Sequence, residues 1–400
     1  MRITYGKNVY GKEEILAVVK QLKKTTQMSD SVRGFEKKIA KIFQKKYGLM
    51  VNSGSSALTL AMDLIDIKKG DEIITPALNF GTAITSIIKA NAKPIFVDID
   101  VDTLQISIEE LKKKITKKTK ALLIPNLIGN IPNWIEIKKI TKKYSNITII
   151  EDSADTLGAK IGAKSTGYFS DISITSFYGS HVISCGGNGG LLLLDNKKFY
   201  EKAKILRSWG RMSSLLKDSE NINKRLNVKL MGLSYDQKFV FSEPGYNFEP
   251  SEIGAAFGNI QLQKFEKFSI LRNKNFNLHY NFFKNYPNLF ILPKILKKIK
   301  TNFLAYPIII KENKNFNKKD LQIFLENKKI QTRPIFSGNA LRHPAFKNLI
   351  SKINKVNSFK NSDYIMKNGI LIGCHHGLTS REINFIHAQI KNFLIKESLI

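Results

Sequence analysis

One histidine in a strongly basic chain poses the first chemical question. His181 lies within SFYGSHVISCGGNGG, residues 176–190, where an apolar run gives way to small residues and then to glycines. The preceding DISITSFY alternates apolar and polar side chains and is rich in Ile, Phe and Tyr, the pattern of a strand, and the LLLLD after Gly190 reads as another. The glycines between them let backbone approach a ligand or adopt positive φ. An imidazole with its ordinary pKa of about 6.5 can take and give protons near neutral pH. Residues 165–196 contain no Lys or Arg in a chain that has 64 of them, so no lysine nearby in sequence shares that task. Read alone, a histidine in such a loop is more often one bonded to backbone than a catalytic group.

Three further groups could join it. In NSGSSALTLAMDLI, Gly54, Ser55 and Ser56 stand at the start of an apolar-periodic run, so helix-start N–H groups lie beside hydroxyls, a terminus that suits a phosphate and is also an ordinary serine cap. Asp152 ends an apolar strand and, if buried, needs a cationic or donor partner. Phe80 after TPALN offers a flat apolar face, and Ser176 a hydroxyl at the end of the strand before His181. Together these are the parts of a pyridoxal phosphate site: a carboxylate for the ring nitrogen, an aromatic partner for the ring, hydroxyls and N–H groups for the phosphate. Only a lysine is missing.

The elements that must position these groups alternate. DEIITP, a helix from Phe80, KPIFVDID, a helix opened by the capping box Ser107 to Glu110, KALLIPN, a helix from Trp134 and ITIIED follow one another. This predicts an α/β fold, a mostly parallel sheet with ligands at the carboxyl ends of its strands. Before it, Ile15, Leu16, Val19 and Leu22 share one helical face, and Phe35, Ile39, Ile42 and Phe43 another. Residues 1–265 are expected to form the large domain, with a lid or subunit contact near residues 212–245, and residues 266–400 a smaller α+β domain reached by the long helix that begins SEIGAAFGNIQLQKF. The absence of a long apolar stretch or signal-peptide core predicts a soluble cytoplasmic protein with no membrane partner. Two cysteines, Cys185 and Cys374, cannot ligate an iron–sulfur cluster or a four-thiolate zinc, so no metal is expected. The net charge of +31 is scattered in KK pairs without an aromatic–basic motif, which argues for a solvated surface and against nucleic acid, while its field would steer an anionic metabolite.

Taken in order, NSGSSAL, TPALNFGTA, PIFVDID, EDSADTLGA, SFYGSHVISCGGNGG, GYNFEPSEIGAA and TRPIFSGNALRHPAF resemble the DegT/DnrJ/EryC1/StrS family over nearly the whole chain. The resemblance implies the aspartate aminotransferase fold (fold type I) and a pyridoxal or pyridoxamine 5'-phosphate cofactor. Phe80 would then stack on the pyridine ring, Asp152 would pair with its nitrogen, Asp155 would lie beside it, and Gly54, Ser55, Ser56 and Ser176 would hold the phosphate. Asn247 would reach the phosphate of the partner subunit, implying a homodimer with shared active sites.

Most members of the family carry lysine at the position of His181. A smaller branch, which also resembles this chain at Asp155, TRPIFSGNALRHP and IGCHHGLT, carries histidine and comprises 3-dehydratases of nucleotide-linked 4-keto-6-deoxyhexoses on routes to 3,6-dideoxysugars of surface polysaccharides. One kind in that branch uses an iron–sulfur cluster, with cysteines after its WGR segment; here that region reads WGRMSSLLKDSEN, which favours the self-contained kind that takes L-glutamate as amino donor. Lysine would hold the cofactor covalently, whereas imidazole moves protons, so His181 is expected to be the general base. Arg333, Asn339 and Arg342 are candidate substrate contacts, since guanidinium groups suit diphosphates. Asn188 stands where the family's loop usually has glutamate. The rival readings are a nucleotide-sugar aminotransferase that uses a distant lysine or tolerates histidine, and an inactive relative that serves as a scaffold or a nucleotide-sugar sensor.

Overall fold

The computed structural model describes residues 2–144, 146–216, 221–312, 315–346 and 359–400. Seven strands form the main sheet: β1 (Tyr47–Val51), β2 (Glu72–Pro76), β3 (Lys93–Val97), β4 (Thr119–Pro125), β5 (Thr148–Asp152), β6 (Ile172–Ser176) and β7 (Gly190–Leu194). They lie in the order β1-β7-β6-β5-β4-β2-β3. Only β7 runs against the rest, pairing antiparallel with both β1 and β6, while the β6-β5-β4-β2-β3 block is parallel. Strands such as β2 and β7 are buried along their whole length, as strands covered by helices on both faces must be. One face packs Leu58, Ala61 and Met62 of the helix Gly54–Leu64 against Ile174 and Leu192. The other face carries Phe35, Ile39 and Phe43 of the helix Asp30–Phe43, which bury the expected stripe.

The helix Lys12–Lys24 behaves differently. Ile15, Leu16, Val19 and Leu22, one apolar face in the sequence, are exposed on this chain, Leu16 at 65%. The face turned inward is polar: Glu14 is fully buried and accepts hydrogen bonds from Gln261 Nε2 at 2.8 Å and Lys264 Nζ at 2.7 Å. A buried carboxylate with these partners anchors the helix against Glu252–Gln263 and leaves its apolar side outward. Ser107 opens the helix Ile108–Lys114 but makes no side-chain cap bond, so the expected capping box does not form.

A second, antiparallel sheet is built from β8 (Phe290–Ile291), β9 (Ala305–Ile310), β10 (Thr332–Pro334) and β11 (Gly369–Gly373), in the order β8-β9-β11-β10. Its core joins Phe276 and Phe283 of the helix Phe265–Phe283 to Tyr306, Ile372 and Ile390. The long helix that the sequence suggests is broken at Lys264 into Glu252–Gln263 and Phe265–Phe283. Ile3 belongs to this core as well and bridges to Ile330. Within residues 212–245, the hairpin of Val228–Leu230 and Leu233–Tyr235 exposes Met231 and Leu233. Among the described residues no helix is long and apolar enough to cross a membrane.

Candidate active site

Register places the site. Asp152, the last residue of β5, pairs with Ile174 of β6, and Ser176, the last of β6, pairs with Gly190 of β7. Gly190 also pairs with Val51, so the chain entering the helix Gly54–Leu64 is pressed onto the same point. A Cβ on Gly190 would lie 2.3 Å from the Ser53 carbonyl carbon, and one on Gly54 would lie 3.0 Å from Ser176 Cβ. Only glycine allows the helix start, β6 and β7 to converge this closely.

The convergence lines a cavity of about 240 Å³ at the carboxyl ends of β4, β5 and β6. Gly54, Ser55, Phe80, Asp152, Asp155, Ser176 and His181 all face it. Ser53 caps the helix by accepting from Ser56 N at 3.1 Å, which leaves the N–H groups of Gly54 and Ser55 without an intrahelical partner at the cavity wall. Ser56 itself is buried and turned away: its hydroxyl donates to Asn52 Oδ1 at 2.6 Å, and Ser53 rather than Ser56 lines the cavity. Phe80 stays 55% exposed at the head of the helix Gly81–Lys89, its backbone N–H held by Asn79 Oδ1 at 2.7 Å and its ring edge-on to Phe336. An aromatic ring left open toward a cavity that also holds a carboxylate is an incomplete stack.

Asp152 accepts one hydrogen bond, from Ala154 N at 3.0 Å, and Asp155 one from Ile128 N at 2.8 Å. Burial pushes both carboxyls up, Asp152 to about 6 and Asp155 to about 7; each lies in the other's vicinity, and the negative charge of Asp152 adds to the rise at Asp155. A cation at this end of the cavity would relieve both. His181 Nδ1 lies 3.2 Å from the Ser176 carbonyl oxygen. A carbonyl can only accept, so Nδ1 carries the proton and Nε2 is the basic nitrogen. Burial drives the imidazole pKa down to about 4 against the opposing pull of the Ser176 carbonyl, and the Arg272 charge lowers it further. His181 is therefore a neutral base throughout the neutral range. Among the described residues, no lysine lines the cavity.

The remaining expected residues lie elsewhere on this chain. Asn247 is exposed outside the cavity, bridging to Ser208. Arg333 is exposed, with its guanidinium over the Tyr5 ring. Asn339 is fully buried and donates to Asp363 Oδ1 at 2.8 Å, and the same carboxylate receives Arg342 Nε at 2.9 Å, so both are engaged with Asp363. No described residue of the 212–245 segment reaches the cavity. Sequence reasoning did not name Ser53, Tyr178, Thr82 and Phe336 as site residues, although all four stand inside motifs already singled out: NSGSSAL, SFYGSHVISCGGNGG, TPALNFGTA and TRPIFSGNALRHPAF.

The donor set fits pyridoxal phosphate: hydroxyls and free N–H groups at one wall, an under-partnered carboxylate at another, an open aromatic face between them. A mostly parallel sheet with this cavity at its strand ends defines a pyridoxal-phosphate-dependent enzyme of fold type I. The chain belongs to the DegT/DnrJ/EryC1/StrS aminotransferase family, whose pattern matches residues 9–391. It is 32% identical over 370 residues to the lipopolysaccharide biosynthesis protein RfbH of Salmonella typhimurium, covering 90% of this chain and 84% of that one. It is 32% identical over 372 residues to the GDP-4-keto-6-deoxy-D-mannose 3-dehydratase of Escherichia coli O55:H7, covering 91% and 92%. The E. coli GDP-4-keto-6-deoxy-D-mannose-3-dehydratase with bound hydrated PLP superposes with a TM-score of 0.87 at 31% identity, over 97% of this chain and 100% of that one. A GDP-4-keto-6-deoxymannose-3-dehydratase with a trapped PLP-glutamate geminal diamine superposes at 0.86 and 29% identity, over 97% and 99%.

Proposed function

We propose that this chain is a 3-dehydratase that removes the C3 hydroxyl of a nucleotide-linked 4-keto-6-deoxyhexose, with L-glutamate as amino donor, in deoxysugar biosynthesis for a surface polysaccharide. The observation that carries the reading is an imidazole held at Nδ1 by the Ser176 carbonyl, and so basic at Nε2, in a cavity with no lysine among its described lining residues. A lysine-free site cannot hold its cofactor covalently, and imidazole can still move protons.

When bound, pyridoxamine phosphate supplies the amine that condenses with the sugar's C4 ketone and a conjugated ring that accepts an electron pair. The protein supplies the rest. Asp152 would hold the ring nitrogen, with Asp155 as a second, more easily protonated carboxyl beside it; the N–H groups and hydroxyls at Gly54, Ser55 and Ser176 would hold the phosphate; and Phe80 would cover the ring. His181 Nε2 would take the proton from the cofactor carbon that bears the amine, freeing the electron pair that expels the C3 hydroxyl, and the imidazolium, still held at Nδ1 by the Ser176 carbonyl, would give that proton to the hydroxyl as it leaves as water. Anions bound nearby raise its low pKa toward the range where both transfers are easy. Arg333 is the proposed diphosphate contact. Asn339 and Arg342, through Asp363, are proposed to hold the 337–342 turn beside Asn79, which Ser337 Oγ meets at 2.6 Å.

A homodimer is part of the same reading. The outward apolar face of Lys12–Lys24, the exposed hairpin around Met231 and the position of Asn247 outside its own cavity all suit a second copy. The test is to incubate the purified protein with pyridoxal phosphate, glutamate and a panel of GDP-, CDP- and dTDP-4-keto-6-deoxyhexoses. NMR should show loss of the C3 hydroxyl with release of ammonia for at least one sugar; a 4-amino sugar that keeps its C3 hydroxyl would instead identify an aminotransferase.

A further inference from the structure

Arg272, on the helix Phe265–Phe283, is fully buried, and four hydrogen bonds from its five N–H donors bind three separate parts of the molecule. Nη2 donates to the backbone carbonyl of His181 at 3.0 Å. Nη1 donates to the carbonyls of Phe303 and Leu304, where the chain enters β9, at 3.0 and 3.1 Å. Nε donates at 3.2 Å to Nδ1 of His376, just beyond β11. The acceptors are three carbonyls and an imidazole; no carboxylate is among them. Guanidinium nitrogen cannot accept, so His376 accepts at Nδ1 and is neutral, and its ring stacks on Phe268 with centroids 3.9 Å apart. A cation buried with no counter-ion among the described residues is costly, and this one sits directly behind the residue read here as the proton mover.

We propose that Arg272 is the positioning residue for His181: it grips the main chain of the catalytic loop from the side of the smaller sheet and places a permanent positive charge behind the imidazole. The grip ties the loop to β9 and to the segment after β11, so the imidazole cannot drift from the cavity wall unless all three parts move. The charge acts in the same direction as burial, favouring the neutral ring. The other titratable or charged groups near His181 are Tyr178 in its own loop and Asp152 and Asp155, which line the same cavity. Those around Arg272 are Tyr5, Cys374, His375 and His376. The two carboxylates favour the imidazolium when ionised, so a cation behind the ring offsets them.

The proposal rests on reading His181 as the proton mover, and its test separates the two. The cofactor-free chain, with its six histidines labelled at Cε1 and His181 assigned through H181N, is titrated by NMR. In R272Q the His181 titration should move up by on the order of one pH unit, the effect of removing a nearby like charge. In R272K the charge is kept but one ammonium replaces a fork that serves three elements, so the titration should stay low. With the sugar nucleotide, kcat of R272K should fall roughly tenfold to a hundredfold with KM unchanged, because a displaced base costs rate and not binding. Circular dichroism confirms that each variant is folded. An unchanged His181 titration in folded R272Q overturns the role of the charge, and folded R272K turning over at the wild-type rate overturns the positioning role, even if R272Q fails to fold. A His181 titration that moves up in R272Q, when the wild-type chain dehydrates nothing, would leave the role of the Arg272 charge standing and remove the dehydratase reading.

Discussion

Lowering the pH from 7 to 5 is expected to remove a large part of this protein's folding stability. Burial pushes five histidines below the usual imidazole range: His181, His375 and His387 to about 4, His279 to about 3 and His376 to about 2. The Arg272 charge adds to the effect at His181, His375 and His376. An unfolded chain protonates the same groups near 6.5. From there down to about 4 the unfolded state therefore binds more protons than the folded state, and stability falls as the pH falls. Each fully buried group accounts for about 2 kcal/mol between pH 7 and 5, and the set for on the order of 8 kcal/mol after discounting His181 and His387 for their partial exposure. Asp152 and Asp155 act in the opposite sense. Their raised folded values let the folded chain take up protons that the unfolded chain binds only near 3.9, which returns roughly 3 to 4 kcal/mol over the same interval. The histidines outweigh these two carboxyls by on the order of 4 kcal/mol, less what the Glu36, Asp63 and Asp100 carboxyls, also pushed up by burial, return, against the roughly 5–15 kcal/mol that holds an ordinary domain folded. Urea unfolding followed by circular dichroism from about pH 4.5 to 8 reads it as a midpoint that drops steeply below 6.5. A midpoint that is flat or rises toward acid would refute the assignment of these histidines as buried and neutral.

Gly190→Ala should destabilise by about 1–3 kcal/mol and weaken cofactor binding, because the added Cβ meets backbone at Ser53 and displaces the helix start; an unfolding midpoint and cofactor titration matching wild type would show that the convergence is slack. Asp152→Asn should weaken cofactor binding roughly tenfold to a hundredfold, the worth of a hydrogen bond to a charged group, while protein stability at neutral pH holds or rises, since a desolvated carboxylate is removed. Leu16→Glu together with Val19→Glu should change the stability of a single chain by under about 0.5 kcal/mol per site yet lower the mass in sedimentation equilibrium. An unchanged dimer mass would move the interface away from this helix, and a wild-type protein that sediments as a monomer would remove the dimer.

The α/β alternation was legible because each strand of the parallel block is a short apolar run bounded by turn residues, and the cavity followed because ligands gather at strand ends. His181 stood out as a difference in chemistry at one place in an ordered set of motifs. What the sequence hid depends on the direction of side chains. NSGSSAL offers several serines, and only the cap geometry decides that Ser53 faces the cavity while Ser56 bonds Asn52. Lys12–Lys24 has a plain apolar stripe, yet Glu14 finds Gln261 and Lys264 across some 250 residues and turns the stripe outward, a pairing no local pattern predicts. Arg272 is one arginine in a polar helix until folding brings His181, Phe303 and His376 around it.

The central claim is that His181 moves the proton that lets the C3 hydroxyl leave. Single-turnover rapid quench of wild type and H181N, each preloaded with pyridoxamine phosphate and mixed with the turned-over 4-keto sugar nucleotide, tests it most directly. The account predicts similar sugar affinity for both and C3–O cleavage slower in H181N by about 10²–10⁴-fold, the usual contribution of a positioned proton-transfer group. Cleavage by H181N at the wild-type rate would contradict it.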